Sequence, residues 1–83
     1  MKRADSAKIL AGIIKEKRRE KALSQFETGR LVGVRQATIS KLENNPGNTR
    51  LETLFRVMSA LGLGFYVEDK VTPEKNGEWQ EEW

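Results

Sequence analysis

Apolar residues recur at helical spacing in four stretches of the chain and at strand spacing in one. In the first stretch Ile9, Leu10, Ile13 and Ile14 fall at i, i+1, i+4 and i+5. That stripe predicts a helix from about Ser6 to Lys21, capped by Asp5 or Ser6. Its second half, Lys15 to Lys21, is highly charged and is expected to be wet, and Ala22-Leu23 closes it. Ser24-Gln25-Phe26-Glu27 is a capping box, in which the serine hydroxyl and the N3 glutamate each satisfy the other's backbone amide. It opens a short second helix over about 25–32, which Gly33 ends as a residue able to take positive φ. A third short helix is expected over about 35–43, with Ile39 and Leu42 inward. Asn44-Asn45-Pro46-Gly47-Asn48 is a dense turn signal. Thr49-Arg50-Leu51-Glu52 reads as a second capping box. The fourth helix behind it carries Leu51, Leu54, Phe55, Met58 and Leu61, the cleanest stripe in the chain.

After Gly62 the period shortens. Leu63 to Glu68 is rich in β-formers and roughly alternating. A lone strand leaves backbone groups unpaired, and the chain offers no second strand candidate. The economical solution is pairing with the same segment of a second copy, giving an antiparallel two-stranded sheet across a twofold dimer through Phe65, Tyr66 and Val67. The competing reading is an extended arm. The expected fold is therefore mainly α: four helices plus one C-terminal strand pairing across a homodimer. Residues 1–68 form the working domain and 69–83 a polar, acidic, flexible tail that cannot bury enough apolar area to order itself. That tail nonetheless ends in Trp79 and Trp83, which invite partner docking or proteolytic handling, or are incidental aromatics.

Composition narrows the chemistry. Eighty-three residues with 37% hydrophobic content make at most one small domain with a thin core. Without Cys or His, the chain has no disulfide, no thiolate or imidazole metal site and no His base. No nucleotide-binding glycine loop and no carboxylate pair in an apolar setting are present, so neither an enzyme nor a cofactor is expected. No apolar run approaches the ~20 residues of a membrane span, and Met1-Lys2-Arg3-Ala4-Asp5 is not followed by a signal-peptide core. A cytoplasmic location is expected. The net charge of +3 conceals an asymmetry: residues 1–64 carry 13 basic and 6 acidic side chains, whereas 65–83 carry 2 and 6. A basic body suits a polyanionic partner, or is simply a solvated face.

Gln25 to Glu43, QFETGRLVGVRQATISKLE, carries the function. A small residue, Gly29, stands where two short helices must cross closely, and Gly33 makes the turn. Val32, Val34, Ile39 and Leu42 anchor both helices, leaving Arg35, Gln36, Thr38, Ser40 and Lys41 outward. This is the pattern of a helix-turn-helix, whose second helix enters the major groove. The sequence resembles the phage-repressor-like (Xre-type) helix-turn-helix family, in which Gln is followed by a small residue four later, Gly eight later, Ile fourteen later and Glu eighteen later. Here these are Gln25, Gly29, Gly33, Ile39 and Glu43. The resemblance implies a structural ion pair between Arg18 and Glu43. Thr28 departs from the family's usual apolar residue, so helix 2 is expected to pack less tightly.

Gln36-Ala37-Thr38-Ile39-Ser40, Glu43-Asn44-Asn45-Pro46, Asn48-Thr49 and the terminal Glu82-Trp83 further resemble the HipB-type antitoxins. That resemblance implies a small dimeric repressor that autoregulates its operon and restrains a HipA-type serine/threonine kinase toxin, with the tail as partner contact or start of degradation. A stand-alone repressor and a protein-binding adaptor are the alternatives. In the DNA-binding reading Arg35 reaches guanine O6/N7, Gln36 pairs with adenine N6/N7 and Ala37 meets a thymine methyl. The respective alternatives are a phosphate contact, a plain surface residue and a plain helix former. Gln25, Thr38, Ser40 and Lys41, with Ser24 and Asn48, are assigned to phosphate oxygens, which position without specifying sequence. Phe26 touches the sugar-phosphate backbone or packs locally.

Overall fold

The computed structural model describes residues 2–70. Four α-helices follow one another: α1 (Ala7–Glu20), α2 (Gln25–Val32), α3 (Gln36–Asn44) and α4 (Leu51–Ala60), with a 3-10 turn, Pro46–Asn48, before the last. Ser6 caps α1, its hydroxyl accepting from the Ile9 amide at 3.1 Å. The capping box on α2 forms as the sequence predicts, with the Ser24 amide donating to Glu27 at 2.8 Å and the Glu27 amide to the Ser24 hydroxyl at 2.9 Å. The second box does not form. Arg50, not Thr49, is the N-cap of α4, and no side chain caps that end. The Pro46–Asn48 turn ends on Thr49, whose amide donates back to the Pro46 carbonyl, so the chain enters α4 one residue later than the box requires.

Three helices stop in the same way. Ala22, Gly33 and Gly62 take positive φ (56°, 77° and 76°), and the next amide reaches back five residues: Leu23 to the Arg18 carbonyl, Val34 to Gly29, Leu63 to Met58. This is the Schellman arrangement, in which an apolar residue just past the turn folds back onto the helix. Leu23, Val34 and Leu63 all pack against the core. A further tie is invisible in the sequence: Arg56 of α4 donates to the Val32 carbonyl at 2.9 Å, satisfying an acceptor at the open end of α2.

The core is a single cluster of Ile14, Val32, Ile39, Leu42, Val57, Met58 and Leu61, with Leu10 and Leu54 packed against it. Two expected stripes are rotated. On α4 the inward row is Leu54, Val57, Met58 and Leu61, while Leu51 and Phe55 are 66% and 46% exposed. On α1 Ala11, Ile14 and Arg18 are buried and Ile9 lies outside. Apolar spacing alone could not distinguish a row packing on this core from apolar residues beside it. Thr28 also behaves differently from expectation. It is fully buried without loosening α2, because its hydroxyl donates to the Ser24 carbonyl at 2.9 Å.

Among the described residues there is no strand; 63–70 have no regular secondary structure. Among the described residues of a single chain the expected strand has no neighbour to pair with. Phe65 packs edge-on against Phe55, with ring centroids 5.2 Å apart, while Tyr66 and Val67 are largely exposed. The expectations for Trp79 and Trp83 lie outside the described residues. No helix among the described residues is long and apolar enough to cross a membrane.

Candidate nucleic-acid interface

The relation between α2 and α3 is fixed at two points. At the first, Gly29 meets the start of α3: a Cβ added there would lie 2.7 Å from the Val34 carbonyl oxygen and 3.3 Å from the Arg35 carbonyl carbon. Both are backbone atoms that cannot swing aside, so any larger residue forces the helices apart. Only glycine permits this crossing distance.

At the second point a buried carboxylate ties three helices together. The Glu43 side chain, on α3, is fully buried. It accepts from Arg18 Nε at 2.6 Å and Nη2 at 3.1 Å, a two-pronged pair with α1. It also accepts from Gln25 Nε2 of α2 at 3.1 Å. Arg18 Nη1 donates to the Leu23 carbonyl at 2.7 Å in the α1–α2 turn. The planar guanidinium thus spends separate N–H groups on the carboxylate and the backbone, the geometry that makes a desolvated pair tolerable. The Arg18–Glu43 pair implied by the family resemblance is present.

This network also redefines Gln25. Its amide donates to Glu43, so the side chain positions the helices. Its second amide N–H and the backbone N–H at the start of α2 are the donors left at this position. The first N–H groups of a helix have no intrahelical partner and carry the positive end of its dipole. Beside it, the Ser24 hydroxyl accepts from Glu27 and keeps its own proton to donate. Glu27 is the only acidic residue on α2, and it is committed to the Ser24 amide.

The outward face of α3 has its own internal order. Ile39, Leu42 and Glu43 are buried. Arg35, Gln36, Ala37 and Lys41 are exposed, and Thr38 and Ser40 half-buried. Arg35 stands at the N-cap in extended conformation, makes no capping bond, and its guanidinium has no partner among the described residues. Ala37, Lys41 and Asn44 form one stripe at i, i+4 and i+7, with Ser40 beside it accepting from Asn44 Nδ2 at 3.3 Å. Lys41 therefore lies one turn behind Ala37 in the middle of the face, not on its flank. Asn48 is exposed at the end of the 3-10 turn. Two residues on, Arg50 is an exposed cation the sequence reading missed, because the supposed capping box hid it as a first-turn helix residue.

Comparisons with known proteins fit this geometry. A family model described as helix-turn-helix matches residues 14–66. The chain is 37% identical over 76 residues to Antitoxin HipB of Escherichia coli K12, covering 89% of this chain and 86% of that protein. Among solved structures it resembles a HipA–HipB–O2–O3 complex with a TM-score of 0.81 and 35% identity, covering 86% of this chain and 100% of that one. It also resembles a HipB–O4 20mer complex at 0.79 and 36% identity, covering 83% and 97%.

Proposed function

From the premise that the chain belongs to the helix-turn-helix family and, with its relatives, to the HipB antitoxins, we propose that it is a DNA-binding repressor and antitoxin, without enzymatic activity. It binds operator DNA and a HipA-type toxin, by resemblance a serine/threonine kinase, and autoregulates its operon from the cytoplasm. The observation that carries this reading is α3 itself: a helix whose inner row is locked by Glu43 and whose outer row is polar and basic.

On that face Arg35 and Gln36 read bases from the helix N-terminus, and Ala37 meets a thymine methyl. Lys41, sharing Ala37's stripe, joins the base-facing group. Ser24, the Gln25 backbone, Thr38, Ser40 and Asn48 hold phosphates, with Arg50 beside Asn48. The segment 69–83, with Trp79 and Trp83, serves the toxin contact or the start of degradation, as the resemblance implies.

The test is affinity for the chain's own upstream DNA across salt. Each neutralised phosphate contributes a slope of about −0.9 in log K against log salt. Counting Arg35, Lys41 and Arg50 as the cations each protomer brings to the duplex, about six per dimer, affinity falls about 10³-fold between 50 and 200 mM. A fall of less than tenfold would count against this interface.

Two half-sites require two copies. The exposed Phe65-Tyr66-Val67 segment follows α4 with no strand partner among the described residues, which supports antiparallel pairing of 63–68 across a twofold axis. Recognition helices then stand about 34 Å apart, one turn of DNA. Proline removes a ladder N–H, and successive residues alternate in bonding, so Tyr66→Pro or Val67→Pro must break the ladder. Sedimentation is expected to show a dimer for the parent and a monomer for at least one variant. If both remain dimeric, the pairing lies elsewhere.

A further inference from the structure

Phe26 and Arg30 are left over from the interface just described. Phe26 is 55% exposed at the second position of α2, an unfavourable place for a large aromatic unless something covers it. The Arg30 guanidinium lies over its ring, 5.9 Å from the centroid. The two are four residues apart and so share one side of the helix. That side is identifiable. Gly29, which abuts Val34 and Arg35, is one turn after Phe26 on the same side of α2. Phe26 therefore borders the helix crossing on the side where α3 begins, and Arg30 lies stacked on it toward solvent. Glu27 and Leu31 face the other way around α2.

We propose that Phe26 and Arg30 form one positioning unit for DNA: Arg30 neutralises a backbone phosphate bordering the bases read by Arg35 and Gln36, and the Phe26 ring holds the guanidinium in place. Three features support this assignment. Among the described residues no acid pairs with the cation, and Glu27, the one acid on α2, is committed to Ser24. The ring restricts a side chain that otherwise loses its rotamer freedom on binding. The free N–H groups at the start of α2 favour a phosphate at the same end of the helix. The proposal rests on the DNA-binding reading above and adds residues to it.

The experiment measures affinity of the full chain for its upstream DNA and for an unrelated duplex, over a salt series, with the variants Arg30→Gln, Phe26→Leu and the double. Arg30→Gln is expected to reduce the salt slope by about 0.9 per protomer, about 1.8 per dimer, and to weaken both duplexes about 10- to 100-fold at 0.1 M salt. Phe26→Leu keeps the charge and the slope but weakens binding about 5- to 30-fold, one exposed cation–π contact per protomer. In the Arg30→Gln background Phe26→Leu costs almost nothing further. An unchanged slope in Arg30→Gln overturns the phosphate contact, and additive effects overturn the unit. A loss confined to the upstream DNA shows base reading instead and also overturns it. These outcomes are distinct from failure of the underlying reading, in which the parent chain itself binds neither duplex.

Discussion

Glu43→Ala is expected to destabilise the protein by about 3–5 kcal/mol, the range seen when one member of a buried ion pair is removed. Small domains are often stable by only about 5–15 kcal/mol, so the variant sits near the folding threshold. The cost arises from what is left behind. Without the carboxylate, Arg18 remains buried with, among the described residues, only the Leu23 carbonyl to accept from it, and Gln25 loses its anchor. Arg18→Ala should hurt comparably by stranding the fully buried Glu43 carboxylate. Replacing both, as Arg18→Met with Glu43→Leu, should recover most of the loss, since apolar isosteres avoid desolvating either charge. Urea denaturation at one fixed protein concentration checks this, because a dimer's apparent stability depends on concentration. A single variant within about 1 kcal/mol of the parent would mean the network contributes little to the helix arrangement.

Gln36→Ala is expected to leave the fold unchanged and to cut discrimination sharply. Gln36 is exposed at the first position of α3 and makes no contact the core depends on. A bidentate contact to a base is worth about 1–3 kcal/mol. Counted over two half-sites this is about 2–6 kcal/mol, roughly 30-fold to over 10⁴-fold in affinity. Arg35→Ala should behave similarly if its guanidinium reads guanine. The loss must fall on the operator and spare unrelated DNA, because nonspecific binding is carried by phosphates. The same comparison separates the two roles for Lys41. A base-facing Lys41 gives an operator-specific loss on replacement by alanine, whereas a phosphate contact weakens all duplexes alike.

Much of this site was legible because its determinants are local or steric. A capping box announces the start of α2, and Gly29 and Gly33 stand where a close crossing and a left-handed turn admit little else. Ile39 and Leu42 orient α3 by spacing. What the sequence could not supply depends on how helices meet in space. Whether Leu51 or Val57 faces the core depends on how α4 is rotated against its neighbours, and apolar spacing tolerates either. Gln25 looks like a free polar group until Glu43 is known to lie beside it. Arg56 caps α2 from 24 residues away. Lys41 is expected at a phosphate from the sequence, and helical geometry puts it on one stripe with Ala37. The second capping box failed because the turn before α4 consumed Thr49, a competition between neighbouring motifs that neither reveals alone.

The central claim is that paired copies place α3 in successive major grooves of one operator. Methylation interference on the upstream DNA tests it directly, since dimethyl sulfate marks guanine N7 in the major groove and adenine N3 in the minor groove. The account predicts that guanine methylation blocks binding in two patches about 10 base pairs apart, centre to centre, on one side of the duplex. Interference confined to adenines, or a single patch, would contradict it.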